Sequence, residues 1–595
     1  MSTTDQKQQL ITRRGLIFSA AMTLPFSALL GKLYLLQVVE GKEYKRLSDK
    51  NRISLKLTLP DRGKILDRDG EILADNFKAF RLVVVPERAK DPKDVLNRVG
   101  QLVTLTEDDQ KQALRKIAKS PSFVPVGVKD FLSFPEVSRV QVNLPDLPGV
   151  DVDELQARKY PNTNLASHVL GYMGPVTKEQ LQGSTDPLLS QPDFRIGRKG
   201  AELHFDKTLR GRAGTNHVEV NASGREVRII NSVDPQQGTD LHLGLVKSVQ
   251  KEIEERLAGN RGAVAVMDLT DGTVMAMASA PDFDPNGFTY GLDTSTWQDL
   301  ILNPNRPLLN RCTQGVYAPG STFKMLVALA GLEEGLITPE ERIDCTGRMK
   351  FGNRFFHCWE EKGHGPTNMH EAIAKSCDIY FYELGHRLGV EKINYYAGLF
   401  GLGKETGIFL PESKGLIPSE AWKRKTYNQR WQKGENLITA IGQGYVLTTP
   451  IQLLTMTARL ATGLNVHPIM EKQAEPPVFD PLPFKPENMK IIQDAMTAVV
   501  TKPYGTAYGS RLTQTAIAGK TGTSQVVSRR HHKDTKLEDI LEHERTHALF
   551  VGYAPAEAPR FATVVMLENA GGGSSAAAPV GRDALLAALK WMRQT

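Results

Sequence analysis

A chain of 595 residues, 40% hydrophobic and 24% charged, is too long for one ordinary domain and too apolar to be a disordered polymer, so two to four folded units are expected. Its net charge of +7 is small for this length and argues against a dedicated nucleic-acid binder, which would carry a clustered basic face. The four cysteines all fall between Cys312 and Cys377, too few and too local for a disulfide-built secreted scaffold.

The first fourteen residues are polar and end in Arg13-Arg14. An uncharged run covers 15–31, Lys32 interrupts it, and 33–39 continue apolar. Together 15–39 have about the length that crosses a bilayer as one helix, and Lys32 can snorkel to the interface. A cleaved signal peptide is the competing reading, but the apolar region is long for one and lacks a small-x-small cleavage site. Positive charges flank both sides, so charge alone does not orient the span. No later run is as long and apolar, which puts everything after residue 40 on one side of the membrane.

Residues 40–235 alternate short apolar runs with charged turns and read as a mixed, strand-rich, non-catalytic domain. Asp61-Arg62-Gly63 and Asp67-Arg68-Asp69-Gly70 read as solvated turns. From about 240 the pattern changes. Residues 246–257 have helical periodicity, and 263–268 and 273–279 flank an Asp271-Gly272 hairpin turn. Two further strands are expected at 547–553 and 561–567, then a final helix over 576–592. The economical arrangement for 240–595 is α+β: an antiparallel sheet made from both ends of the region, flanked by helices.

Three short motifs carry chemistry. Ser321 follows Pro319-Gly320 and opens a run that is apolar almost all round, interrupted by Lys324. Three residues apart, both side chains lie on one helix face, and burial of the run disfavours the lysine's charge. A serine needs a nearby base to be a nucleophile, and a desolvated lysine one turn away can serve. The plain alternative is an N-cap serine beside a surface lysine. Ser376-Cys377-Asp378 offers a hydroxyl to relay protons and a carboxylate to hold a lysine. Lys520-Thr521-Gly522-Thr523 offers a strand that a substrate backbone can approach, with Lys520 to attract a carboxylate and the threonine hydroxyls to position it. The order Ser-x-x-Lys, Ser-x-Asp, Lys-Thr-Gly, with 55 and 144 residues between first members, is far more specific than any one piece.

On these residues the chain resembles the class B penicillin-binding proteins. The likeness extends to Asn310 through Gly320, to Gly442-Gln443-Gly444 with Thr448-Thr449-Pro450, and to Asp61-Arg62-Gly63, Arg158-Lys159-Tyr160-Pro161 and Leu209-Arg210-Gly211. Asp378 and the threonine of Lys-Thr-Gly favour the elongation type over the septal type. The resemblance implies a penicillin-binding, serine β-lactamase-like transpeptidase domain on a pedestal. It implies acylation of Ser321 by stem peptides ending in D-Ala-D-Ala, with Lys324 as base, Ser376 as relay and the backbone N–H groups of Ser321 and Thr523 as oxyanion hole. Asp378 and Lys520 complete the site, and Thr521, Gly522 and Thr523 bind substrate. It further implies blockage by β-lactams, a carboxypeptidase side activity, no catalytic cofactor, and work in the bacterial inner membrane with a RodA-type glycosyltransferase and an MreC-type scaffold. The rivals are a septal transpeptidase and a non-catalytic β-lactam-binding sensor or scaffold. A sensor would need signalling segments on the far side of the membrane, where the anchor reading leaves fourteen residues.

Cys345, Cys358, His364 and Cys377 have the spacing Cys-x12-Cys-x5-His-x12-Cys, which suits a tetrahedral structural zinc. A disulfide, or three buried thiols with a surface histidine, are the alternatives, and His357 or His370 could replace His364 as ligand. Cys312 is left over as a small buried residue. Arg529-Arg530-His531-His532-Lys533 reads as a solvated loop, and 571–573 as a turn.

Overall fold

The computed structural model describes residues 3–40, 53–191, 194–221, 226–525 and 541–594, so the expected loop at 529–533 lies outside the described residues. A helix over Thr3–Tyr34 continues as a π turn over Leu35–Val39. Its stretch Gly15–Val39 is long and apolar enough to cross a membrane and buries nothing against the protein. The chain forms two compact units that interleave in sequence, one holding 1–61, 79–155 and 211–237, the other 62–78, 156–210 and 238–595.

The first unit contains an antiparallel sheet in which Gly214–Val220 lies between Ile53–Thr58 and Glu226–Val233. Its core gathers Leu82, Val84, Leu96, Val99, Val137 and Val140. Three helices frame that core, over Pro92–Val99, Glu107–Lys119 and Phe134–Asn143. Each begins where a side chain satisfies orphan backbone donors: Asp91 accepts from Lys93 and Asp94 N–H, and Thr106 and Ser133 form capping boxes with Asp109 and Glu136. A strand-rich reading of this stretch underweights these helices because each buries three residues or fewer, which leaves a thin periodic signal.

The second unit is built on a five-stranded antiparallel sheet in the order Val274–Ala280, Gly262–Asp268, Phe561–Leu567, His547–Ala554, Ala518–Ser524. Gly262–Asp268, Phe561–Leu567 and nearly all of His547–Ala554 are buried residue after residue, so both faces are covered. Helices Lys247–Leu257, Ala578–Met592 and Pro450–Thr462 pack on this sheet. The middle strand pair joins sequence segments about 300 residues apart, as the two-ended reading anticipated.

One expectation is overturned. Asp61-Arg62-Gly63 and Asp67 are not all solvated turns: Arg62 is 9% exposed and Asp67 is 1% exposed. Arg62 donates to Glu202 and Asp206, Arg158 Nε donates to Glu202 Oε1 at 2.6 Å, and Glu202 is fully buried. Asp67 accepts from the backbone N–H of Asp69, Glu71 and Lys247. Local composition marks such residues as polar, but only the fold supplies partners that make burying them tolerable.

Candidate active site and a cysteine–histidine cluster

Ser321 sits in a 3-10 turn over Gly320–Phe323, and Lys324 opens the helix Lys324–Glu333 directly after it. Lys324 through Leu332 are buried without a break, as the apolar run predicts. The ammonium does not lack partners, however. Lys324 Nζ donates to Asp378 Oδ1 at 2.7 Å, to the Ser376 carbonyl at 2.9 Å and to Ser376 Oγ at 3.3 Å. Lys324 and Asp378, 54 residues apart in sequence, thus bring the first two motifs together at one nitrogen. Ser376 is 5% exposed and holds a left-handed backbone conformation (φ 58°), a strained state for a side-chain-bearing residue that surrounding contacts must enforce.

The third motif forms the sheet-edge strand Ala518–Ser524. Lys520 is fully buried, and its ammonium is held well below the usual lysine range by burial and then by the charge of Lys324, with Asp378 opposing. An arriving carboxylate would supply the countercharge that burial denies it. Thr521 Oγ1 pairs with Thr506 Oγ1 at 2.7 Å, while Thr523 is exposed.

Glycines bring this strand against the Ser321 turn. Gly320 has φ +54°, and a Cβ there would lie 2.7 Å from the Thr523 carbonyl oxygen. Gly320 N–H donates to the Gly442 carbonyl at 2.9 Å, and a Cβ on Gly442 (φ +67°) would lie 2.3 Å from the Gly320 oxygen. Gln443 Nε2 donates to the Thr523 carbonyl at 3.3 Å. Only residues without Cβ permit this approach.

Trp359 and Thr506 were not anticipated, and Gln443 was named only within the Gly442-Gln443-Gly444 likeness, without a role in the site. Trp359 N–H donates to Asp378 Oδ2 at 2.9 Å, and its indole N–H donates to the Ser376 carbonyl at 3.0 Å. Thr506 touches Thr521, and Gln443 touches Thr523. Trp359 adjoins Cys358, and that adjacency was the available signal; Thr506 carried none.

Cys345, Cys358, His364 and Cys377 converge, their ligand atoms all within 4.8 Å of one another. His364 Nδ1 lies 3.6 Å from Cys345 Sγ and 3.5 Å from Cys358 Sγ. Tetrahedral zinc with ordinary Zn–S and Zn–N bonds requires an S···N edge of about 3.6 Å, so the donor set fits. All four cysteines are free, and Cys312 is buried apart from the cluster, its thiol donating to the Ala278 carbonyl. Hydrogen bonding from Cys377 pulls the Cys358 and Cys345 thiols below the usual thiol range, while the Cys377 thiol rises.

The profile described as the penicillin binding protein transpeptidase domain matches residues 262–586. The chain belongs to the penicillin-binding proteins. The profile of the penicillin-binding protein dimerisation domain matches 57–243 of this penicillin-binding protein. It is 33% identical over 605 residues to the peptidoglycan D,D-transpeptidase MrdA of Salmonella typhimurium (strain SL1344), covering 98% of this chain and 96% of that one. Its fold matches that of a Helicobacter pylori penicillin-binding protein, PBP2, solved in complex with MreC, with TM-score 0.80, 30% identity and coverage of 91% and 99%. It also matches a chain of a peptidoglycan synthase complex that coordinates polymerization and crosslinking, with TM-score 0.70, 30% identity and coverage of 96% and 98%.

Proposed function

We propose that this penicillin-binding protein is an elongation-type peptidoglycan D,D-transpeptidase with Ser321 as nucleophile. The observation that carries the residue assignment is the convergence of Lys324, Ser376 and Asp378 at one ammonium, beside a Lys-Thr-Gly strand packed on the Ser321 turn. Ser321 Oγ attacks the penultimate D-Ala carbonyl of a stem peptide, and its proton passes by way of Ser376 to Lys324, which accepts it as the neutral amine. The C–N bond to the terminal D-Ala breaks, and that proton goes to the departing amine. An amine from a neighbouring stem peptide then takes the acyl group and frees Ser321. Lys520 with Thr521 and Thr523 holds the terminal carboxylate, Gly522 admits the peptide backbone, and the N–H groups of Ser321 and Thr523 face the developing oxyanion. A β-lactam follows the first half of this path and stays on Ser321.

Cys345, Cys358, His364 and Cys377 hold a structural zinc in this reading, with no part in the chemistry. The metal would pin the 345–364 segment to the turn between helices Met369–Ala374 and Asp378–Leu399, which carries Ser376 and opens with Asp378. Gly15–Val39 is the inner-membrane anchor, with 1–14 as a cytoplasmic tail and the chain after the anchor in the periplasm, and 40–235 and 240–595 act as pedestal and transpeptidase domains. An MreC-type scaffold and a RodA-type polymerase are the corresponding partners, supported by the complexes in which its structural relatives occur.

Intact-mass spectrometry with a penicillin tests this. One stable adduct, absent in Ser321→Ala, is expected; a folded parent that takes no adduct would sink the assignment. Native spectra should carry the extra mass of one zinc, lost on denaturation. A two-hydrogen deficit in the denatured mass would instead mean a disulfide.

A further inference from the structure

Beside the cleft lies a group of aromatic side chains that the chemistry above does not use. Helix Glu420–Tyr427 is capped by Ser419, which accepts from Trp422 N–H, and it ends at Asn428 in a left-handed conformation. Trp422, Tyr427 and Tyr445 pack as a triangle, with ring centroids 5.6 Å apart for Trp422–Tyr427, 5.1 Å for Trp422–Tyr445 and 5.5 Å for Tyr427–Tyr445. Trp431 joins at 6.3 Å from Tyr445. Ordinary packing would bury such rings, yet Tyr427 is 49% exposed and the other three are only half-buried.

The rings are held from within the protein. Lys423 is 2% exposed, pairs with Glu435, and sets its ammonium 5.6 Å from the Trp431 ring and 5.9 Å from the Tyr445 ring. Trp431 Nε1 donates to Asn436 Oδ1 at 2.6 Å. These contacts fix Trp431 and Tyr445, against which Tyr427 and Trp422 pack, and such preorganisation lowers the entropy lost on binding. Around it, Arg424, Lys425, Arg430 and Lys433 are exposed, and none pairs with a carboxylate among the described residues. Arg424 and Tyr427 are three apart and share a helix face. The platform is also continuous with the cleft: Tyr445 stands two residues after Gln443, which holds the Thr523 carbonyl, and three after Gly442, which holds the Ser321 turn.

We infer that this aromatic platform with its basic rim seats a strand of amino-sugar polymer, the rings covering sugar faces and the cations meeting carboxylates of the attached peptides. Flat, rigid rings suit the apolar faces of pyranoses, which a loop of small polar residues would not grip. Unpaired arginine and lysine side chains supply the complementary charge and draw the polymer in. The platform thus positions the glycan that carries a stem peptide toward Ser321. This inference rests on the transpeptidase reading for its substrate, but its test does not depend on acylation.

The test uses the full chain in detergent micelles, as the Ser321→Ala form, with fluorescently labelled uncross-linked glycan strands as probe. One sample of strands keeps its stem peptides and another has them enzymatically removed. Saturable binding of both is expected, tighter with peptides present. Tyr427→Ala should weaken both by about tenfold, and Tyr427→Trp should retain binding. The pair Arg424→Gln and Arg430→Gln should weaken only the peptide-bearing strands. Melting temperature and, in the Ser321 background, the penicillin acylation rate verify that each variant is folded. Absence of saturable binding by the parent, or Tyr427→Ala binding both probes as the parent does, would overturn the inference. Absence of penicillin acylation in the protein that retains Ser321 would instead strike the nucleophile assignment and leave this result standing.

Discussion

Replacing Gly442 by alanine should disable acylation far more than it destabilises the fold. Gly442 holds φ +67°, where a side-chain-bearing residue costs about 1–2 kcal/mol. The added Cβ would sit 2.3 Å from the Gly320 carbonyl oxygen and 2.7 Å from Phe323 Cβ. Non-bonded contacts of this kind are comfortable near about 3.5 Å, so the Ser321 turn must retreat by about 1 Å. A displacement of that size at reacting atoms costs about 10²-fold in rate. Gly444 provides the control. It has nearly the same conformation (φ +72°), but its Cβ would meet only the Ile438 side chain, at 3.2 Å. Both variants should therefore lose a similar few degrees in melting temperature, while stopped-flow acylation by a fluorescent penicillin falls about 10²-fold in Gly442→Ala and less than about threefold in Gly444→Ala. Equal acylation rates in the two variants would refute the view that the Gly320–Gly442 contact sets the position of Ser321.

Glu202→Gln leaves Arg62 and Arg158 facing a neutral partner in a fully buried site, and unfolding in denaturant should show a loss of about 3–5 kcal/mol. Burial works against the Glu202 carboxylate, but the charges of Arg158 and Arg62 lower its pKa overall. Its contribution is thus present at neutral pH and is lost as pH falls below the ordinary value of 4.5, so the parent and Glu202→Gln should converge in acid. Glu254 has the opposite sign. Burial, reinforced by Asp282, pushes it up to about 7 against hydrogen bonds from Gln250 and Ala166. A raised carboxyl pKa costs stability as pH climbs from 4.5 to 7, so Glu254→Gln should raise the melting temperature at pH 8 and lose that advantage at pH 5. Stripping zinc with a strong chelator should lower the melting temperature and slow penicillin acylation together, because Trp359 links the cysteine segment to Asp378 and Ser376. A chelated protein with unchanged melting temperature would speak against the metal.

The motifs that could be read in the sequence are those whose oddity is local. A lysine inside an apolar run, or a Lys-Thr-Gly on a strand of small residues, is visible without the fold. So is a set of thiols at metal-ligand spacing, which converge as that spacing predicts. The strands expected at 263–268, 547–553 and 561–567, which form as Gly262–Asp268, His547–Ala554 and Phe561–Leu567, were legible from local pattern too, the first from its alternation beside the Asp271-Gly272 turn. What escaped depends on contacts between distant segments. Arg62 looks like any turn arginine until Glu202, 140 residues on, is brought to it. Gly442 looks like a loop glycine until Gly320 is placed against it. Thr506 is an ordinary threonine whose importance lies in its neighbour on another element.

The pairing of Gly262–Asp268 with Phe561–Leu567 also sets a clock for biosynthesis. When the first of these strands leaves the ribosome, the partner on one of its sides does not yet exist. Roughly 300 further residues must be made, which at common translation rates takes roughly 15–60 s. During that interval an apolar strand, together with the hairpin strand beside it, offers an unsatisfied edge to whatever it meets. Only a chain finished nearly to its last helix can close the sheet. Shortening the protein from its C-terminus before Phe561 therefore leaves the earlier strands without a central partner, and degradation or aggregation of such fragments is the expected fate.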